Sequence, residues 1–179
     1  MSTSLNWRPA LELPELLAPP VVAALSRLAD ASTVRVAAID PELADTAAFG
    51  DAYGIPSEQS ANCVIVAGRR GERTSFAACV VLATTRADVN GPVRRRLDAR
   101  KASFAPQDEA VRLSAMAFGG ITPIGLPVDW PVLVDAAVVE AGDVVVGSGL
   151  RASKLLVPGA LLAGLPGAEV VDGLGLATI

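Results

Sequence analysis

The sequence predicts an α/β fold, one domain built on a mixed sheet. Three observations carry this. The 179 residues are 51% hydrophobic and 19% charged, which is ample for one buried core and too apolar for a disordered tail. Short β-branched runs alternate with segments that open on Pro, Asp or Asn. Segment 68–73 (GRRGER) joins two apolar runs as a hairpin, and a purely parallel doubly wound sheet would hold no such antiparallel pair.

In chain order, residues 1–18 read as a loosely helical arm. Pro19 and Pro20 suit the first turn of a helix, whose apolar face follows over 21–28, so 1–30 is expected as an N-terminal helical arm and 31–179 as the main domain. Residues 33–39 (TVRVAAI) have the β-branched content of a strand. Asp40-Pro41 pairs an N-cap with a first-turn proline and predicts a helix ending near Gly54; Ser57 can cap a short turn. Residues 61–67 (ANCVIVA) and 75–83 (SFAACVVLA) are the two hairpin strands. Asn90 opens a predicted helix through Arg100. A short strand over 101–105 and a helix over 106–116 follow, with Asp108 and Glu109 at the helix's positive end. Strands are predicted over 130–135, 143–147 and 154–157, a helix over 159–165 and a closing strand over 169–171.

Composition narrows the chemistry. There is no histidine, which excludes Ser-His-Asp and Cys-His catalysis, a histidine general base and imidazole metal sites. Cys63 and Cys79 lack CxxC spacing, so neither a zinc site nor a disulfide framework is expected. Both lie in apolar runs as inert thiols, which fits a reducing cytoplasm. The longest uncharged stretch, 113–128, is short and broken by Gly and Pro, and the N-terminus lacks the basic start of a signal peptide.

The net charge of −4 argues against a generic nucleic-acid coat, but it hides an asymmetry. Residues 61–112 carry 10 basic and 5 acidic side chains, a local balance of +5, including Arg69, Arg70, Arg73, Arg94, Arg95, Arg96, Arg100 and Lys101. That field suits a phosphate-bearing partner, and it equally describes a solvated helix face beside a hairpin tip.

The passage 119–125 (GGITPIG) carries the most information. Paired glycines permit a sharp turn and close ligand approach, and Pro123 holds Thr122 extended. Successive N–H groups in such a loop can converge on a carbonyl oxygen or an oxyanion; a tight helix-to-strand connector is the other reading. The passage is neither a Walker A motif nor GxGxxG, so no nucleotide cofactor is indicated.

In this order of motifs the sequence resembles the YbaK/aminoacyl-tRNA synthetase-associated domain family. These are deacylases, free-standing or inserted in synthetases, that edit mischarged tRNA, typically tRNA-Pro. The resemblance runs from about residue 34 to 171, through VRVAAI, AYGI, SANCVIVAG, FAACVVLATT, DARKASFAP, GGITPIGLP, WPVLVDAAV and VVVGSGLRASKL. It implies a single α+β domain with a mixed, largely antiparallel curved sheet flanked by helices. It also implies hydrolysis of the aminoacyl ester at the tRNA acceptor end, with no cofactor or metal, and a tRNA synthetase as a possible second partner. Neither DNA nor a membrane is implied. Gly120-Ile121-Thr122-Pro123 corresponds to the family's GxxP loop. Gly120 and Thr122 are thereby assigned catalytic roles, and Gly119, Ile121, Pro123 and Gly125 substrate binding. The family usually carries a lysine where this chain has Asn62, which hydrogen-bonds but has no charge; Asn62 is expected in the site as a catalytic residue or a binding one, and a plain strand-entry residue is the alternative. A Ser/Gly/Arg stretch borders the family's pocket, matched here by Ser148, Gly149 and Arg151. Asp135 can contact substrate or serve as a structural turn carboxylate. Lys101, with Arg100, can meet acceptor-stem phosphates.

Overall fold

A computed structural model describes residues 4–178. The first three residues of the predicted arm, and residue 179, lie outside the described residues. Among the described residues eleven strands form three sheets. The largest contains β3 (Ala61–Arg70), β4 (Arg73–Leu82), β6 (Lys101–Phe104), β7 (Val132–Asp135) and β10 (Ala168–Val171), in the order β10-β7-β4-β3-β6. β4 runs antiparallel to β3 through the predicted hairpin, and β3 antiparallel to β6. β7 lies parallel to both β4 and β10, so the sheet is mixed.

A four-stranded antiparallel sheet orders β1 (Arg8–Pro9), β2 (Arg35–Ala38), β9 (Ser153–Pro158) and β8 (Asp143–Gly147) as β1-β2-β9-β8. The pair β5 (Thr85–Ala87) and β11 (Gly175–Ala177) completes the set. A parallel bridge between Ser60 and Val145 joins the two larger sheets at a seam. The fold is therefore mixed α+β with mostly antiparallel pairing.

β4 shows why its sequence reads as an unbroken apolar run. Ala78 and Val80 point into the main core with Leu25, Val36, Val134 and Leu155, whereas Ala77, Cys79 and Val81 pack on the opposite face with Val66, Leu133 and Leu174. Side chains alternate along a strand, so a strand covered on both faces is apolar throughout. Each buried Val or Leu contributes about 1.5–3 kcal/mol relative to exposure.

Helices flank the sheets. α1 (Pro19–Leu25) begins at its two prolines and buries Val21 and Leu25 in the main core, and Ala10 and Leu17 from the N-terminal segment join them there. The predicted helix from Asp40 is two elements. Asp40 accepts from the Glu42 N–H at 3.0 Å and caps only a 3-10 turn, Pro41–Leu43; Asp45 then caps α2 (Thr46–Tyr53), accepting from the Ala47 N–H at 3.1 Å. The predicted helix 90–100 is a kinked turn over Val89–Val93, with Gly91 outside helical angles, running into the single turn α3 (Arg94–Arg96). α4 (Gln107–Ser114), α5 (Ala136–Glu140) and α6 (Gly159–Ala163) complete the set. β5 and β11 escape the sequence reading because three-residue edge strands carry too few residues to show a period. No helix among the described residues is long and apolar enough to cross a membrane.

Candidate functional site

A cavity of about 400 Å³ opens where the two large sheets meet. Its walls come from the entry into α2 (Ala44, Asp45) and its first turn (Thr46, Phe49), from β3 (Asn62, Cys63), from Phe104 at the end of β6, from the loop residues Phe118, Gly119 and Ile121, and from Gly147 and Lys154 on β8 and β9. Asn62, Gly119 and Ile121 are thus brought together, although 56 residues separate the first two in sequence.

Local contacts fix each of these. The Thr46 hydroxyl donates to Asn62 Oδ1 at 2.6 Å. That occupies the amide oxygen and leaves the Asn62 NH₂ as the group able to donate elsewhere. Phe49 is buried at the base of α2, 5.2 Å from the Tyr53 ring, and packs beside Val145 of β8. This anchors α2 against the four-stranded sheet.

The glycine loop is braced from behind by backbone. The Gly120 N–H donates to Ala117 O at 2.9 Å, and Gly120 O accepts from the Gly149 N–H at 2.7 Å. A Cβ on Gly120 would lie 2.5 Å from Leu150 O, and one on Gly147 would run into the Gly120 and Ile121 carbonyls, so the two strands of chain approach as only glycine permits. The N–H groups of Gly119 and Ile121 donate to no partner among the described residues. Arg151 ties the loop to the opposite wall: Nη1 donates to Phe118 O at 3.2 Å and Nη2 to Pro41 O at 2.9 Å.

Other predicted site residues lie away from the cavity lining. Thr122 is fully buried with its hydroxyl unpartnered, and its N–H faces Met116 Sδ at 3.5 Å. Pro123 and Gly125 line a separate apolar hollow with Trp130 and Leu165. Ser148 is buried in a hydroxyl network, 2.7 Å from Ser153 Oγ, and Gly149 braces the loop as described. Asp135 caps α5 by accepting from the Ala137 N–H at 3.4 Å and holds the Gly175 N–H at 2.8 Å, the turn-carboxylate arrangement.

Lys101 lies in a neighbouring groove of about 550 Å³ with Arg69, Arg94 and Arg100. None of these four forms an ion pair among the described residues, whereas Arg70 and Arg73 are held by Asp98 and Arg96 by Glu169. The groove and the cavity share one residue, Phe104, which is 58% exposed.

Sequence reasoning missed Thr46, Phe104 and Lys154 among the residues of the site. Lys154 is only 7% exposed and donates from Nζ to Ala44 O at 2.8 Å. Burial pulls its pKa from 10.5 down to about 8; Asp45 pushes it back up and Arg151 adds to the fall. A lone lysine inside the apolar run SKLLVP was the available signal. Burial pushes both thiols up, Cys79 to about 12, so neither supplies a thiolate near neutral pH. No group of three or more His, Cys, Asp or Glu able to hold a metal occurs among the described residues.

The fold and the cavity define a single-domain α+β protein with a largely apolar pocket, holding Asn62 and the buried cation of Lys154, beside a basic groove. Residues 40–165 match the aminoacyl-tRNA editing domain, and the chain belongs to that family. Among solved structures it is similar to a candidate trans-editing enzyme for prolyl tRNA synthetase, at 21% identity and TM-score 0.72 over 87% of this chain and 94% of that one. A scaffold protein used for computational epitope grafting matches at 22% identity and TM-score 0.71, over 90% and 97%. A hypothetical protein matches at 20% and 0.71, over 80% and 92%. No curated protein matches the chain.

Proposed function

We propose that this chain is a trans-acting deacylase that hydrolyses the ester between an amino acid and the 3′ end of a mischarged tRNA, of the tRNA-Pro type. The observation that carries this is the meeting of Asn62 with Gly119 and Ile121 in one cavity. In the reaction a water oxygen adds to the ester carbonyl carbon and the bond to the ribose oxygen breaks. The ribose oxygen takes a proton, leaving a free 3′ end and an amino acid. Negative charge develops on the carbonyl oxygen, and the unengaged Gly119 and Ile121 N–H groups are the donors suited to it. Asn62, oriented by Thr46, offers its NH₂ to substrate or water. Gly120, Thr122 and Pro123 serve as the framework of the loop, and Gly149 and Arg151 as its brace. Arg69, Arg94, Arg100 and Lys101 take acceptor-stem phosphates, and Phe104 offers a face for a terminal base to stack on. A tRNA synthetase is a second partner in this reading, and the cytoplasm its place of action.

The test is deacylation of a full panel of mischarged tRNAs, with alanyl-, cysteinyl- and seryl-tRNA first. Turnover of at least one at micromolar protein is expected. A panel left untouched overturns the proposal. Asn62, uncharged at this wall, favours a second reading, a binding module with weakened turnover. Asn62→Lys separates the two: a large gain in rate supports the weakened module, and no gain supports a site that works with an amide.

A further inference from the structure

Lys154 sits on β9 between Ser153 and Leu155, both fully buried. A charge this buried normally lies against a carboxylate or has all its protons hydrogen-bonded. Among the described residues Lys154 forms no ion pair. Of its three Nζ protons one is placed, on Ala44 O at 2.8 Å, and the Phe49 ring lies 5.5 Å away. The remaining donors belong to a side chain that lines the cavity. Asn62 is held at the same place, because its partner Thr46 follows Ala44 by two residues. The charged and titratable groups around Nζ are Asp45 at the α2 cap, Arg151 on the turn before β9 and the Cys63 thiol, which burial keeps protonated. Near neutral pH the amine carries its charge.

We propose that Lys154 contacts the substrate, its Nζ donating to an oxygen at the reacting end of the bound aminoacyl-adenosine, the carbonyl or the ribose. The identity of the ligand rests on the deacylase reading; the unpaired buried cation does not.

Lys101 and Lys154 are the only lysines, so ¹⁵N-lysine labelling of the full chain gives two Nζ signals, one in the groove and one in the cavity. The probe is 3′-alanylamino-3′-deoxyadenosine, whose amide resists hydrolysis. On titration the Lys154 signal is expected to shift and its midpoint to rise above about 8, while the Lys101 signal holds. A shift with adenosine alone assigns the contact to the ribose, and a shift only with the aminoacyl probe assigns it to the carbonyl. Lys154→Met should weaken probe binding roughly ten- to hundredfold, the loss of a charge-assisted hydrogen bond. No binding, binding with an unmoved Lys154 signal, or a folded Lys154→Met that binds like the parent overturns the proposal. A moved signal in a protein that deacylates no tRNA keeps the contact and removes the deacylase reading.

Discussion

The cavity at the sheet seam and the groove beside β6 share Phe104 as a wall, and on its two sides charge is handled in opposite ways. In the cavity the polar groups are few, buried or half-buried, and fixed: Asn62 by Thr46, Lys154 by Ala44, the loop by Gly149 and Arg151. In the groove four exposed cations stand without carboxylate partners among the described residues. A charge held away from water acts strongly over a short range and is little affected by salt, whereas exposed charges attract from a distance and are screened within about 10 Å at 0.1 M salt. The cavity is suited to chemistry and selection, the groove to capture.

The contrast breaks most severely at Gly120. Gly120→Ala places a methyl against the Leu150 backbone, which cannot swing aside as a side chain can. At least a hundredfold loss of deacylation is expected in single-turnover assays, with about 1–3 kcal/mol less stability in denaturant titration. Activity within a few-fold of the parent would remove the loop from the site.

Phe104→Ala tests the shared wall. Loss of base stacking, worth about 1–3 kcal/mol, should raise KM roughly tenfold and leave kcat nearly unchanged. A fall in kcat alone would place Phe104 with the chemistry rather than with capture.

Lys101→Gln sharpens the difference between the regions. Affinity for tRNA should fall a few-fold, and the slope of log affinity against log salt should flatten by about 1. Lys154→Met should leave that slope as it was, and equal flattening by both would erase the distinction.

The smallest effect is in pH dependence, and its two parts have opposite signs. As pH rises through about 8, Lys154 loses its proton and probe affinity should decline. Stability should rise over the same range, because the unfolded lysine, titrating near 10.5, then holds more proton than the folded one. The gain is best read between pH 8 and 9. Above that the unfolded thiols ionise while Cys63 and Cys79 stay protonated in the fold, which lowers stability again. Urea midpoints across this window, absent any such rise in Lys154→Met, check the sign.

What the sequence made legible was local. The hairpin, the strands 143–147 and 169–171 and the tight 119–125 loop each follow from a few adjacent residues, and Asn62 from standing where the family it resembles carries a lysine. The pairing of Asn62 with Thr46, and the burial of Lys154 under α2, depend on segments far apart in sequence and leave only a lone lysine among apolar residues as a trace. Asp40 misleads for a related reason. Two caps five residues apart, Asp40 and Asp45, each satisfy the same local rule, and only packing of Phe49 decides which one starts the longer helix.

The brace behind the 119–125 loop is written in main-chain atoms: Gly120 against Leu150, Gly147 against the Gly120 and Ile121 carbonyls, Gly149 N–H onto Gly120 O. Main-chain atoms do not change when side chains mutate. The loop's shape is thereby insulated from drift at Phe118, Ile121 and Phe104, so the side chains lining the pocket can change while the backbone geometry of the loop is kept. For an engineer this marks where to randomise, the three side chains, and where to leave the sequence alone, the glycines.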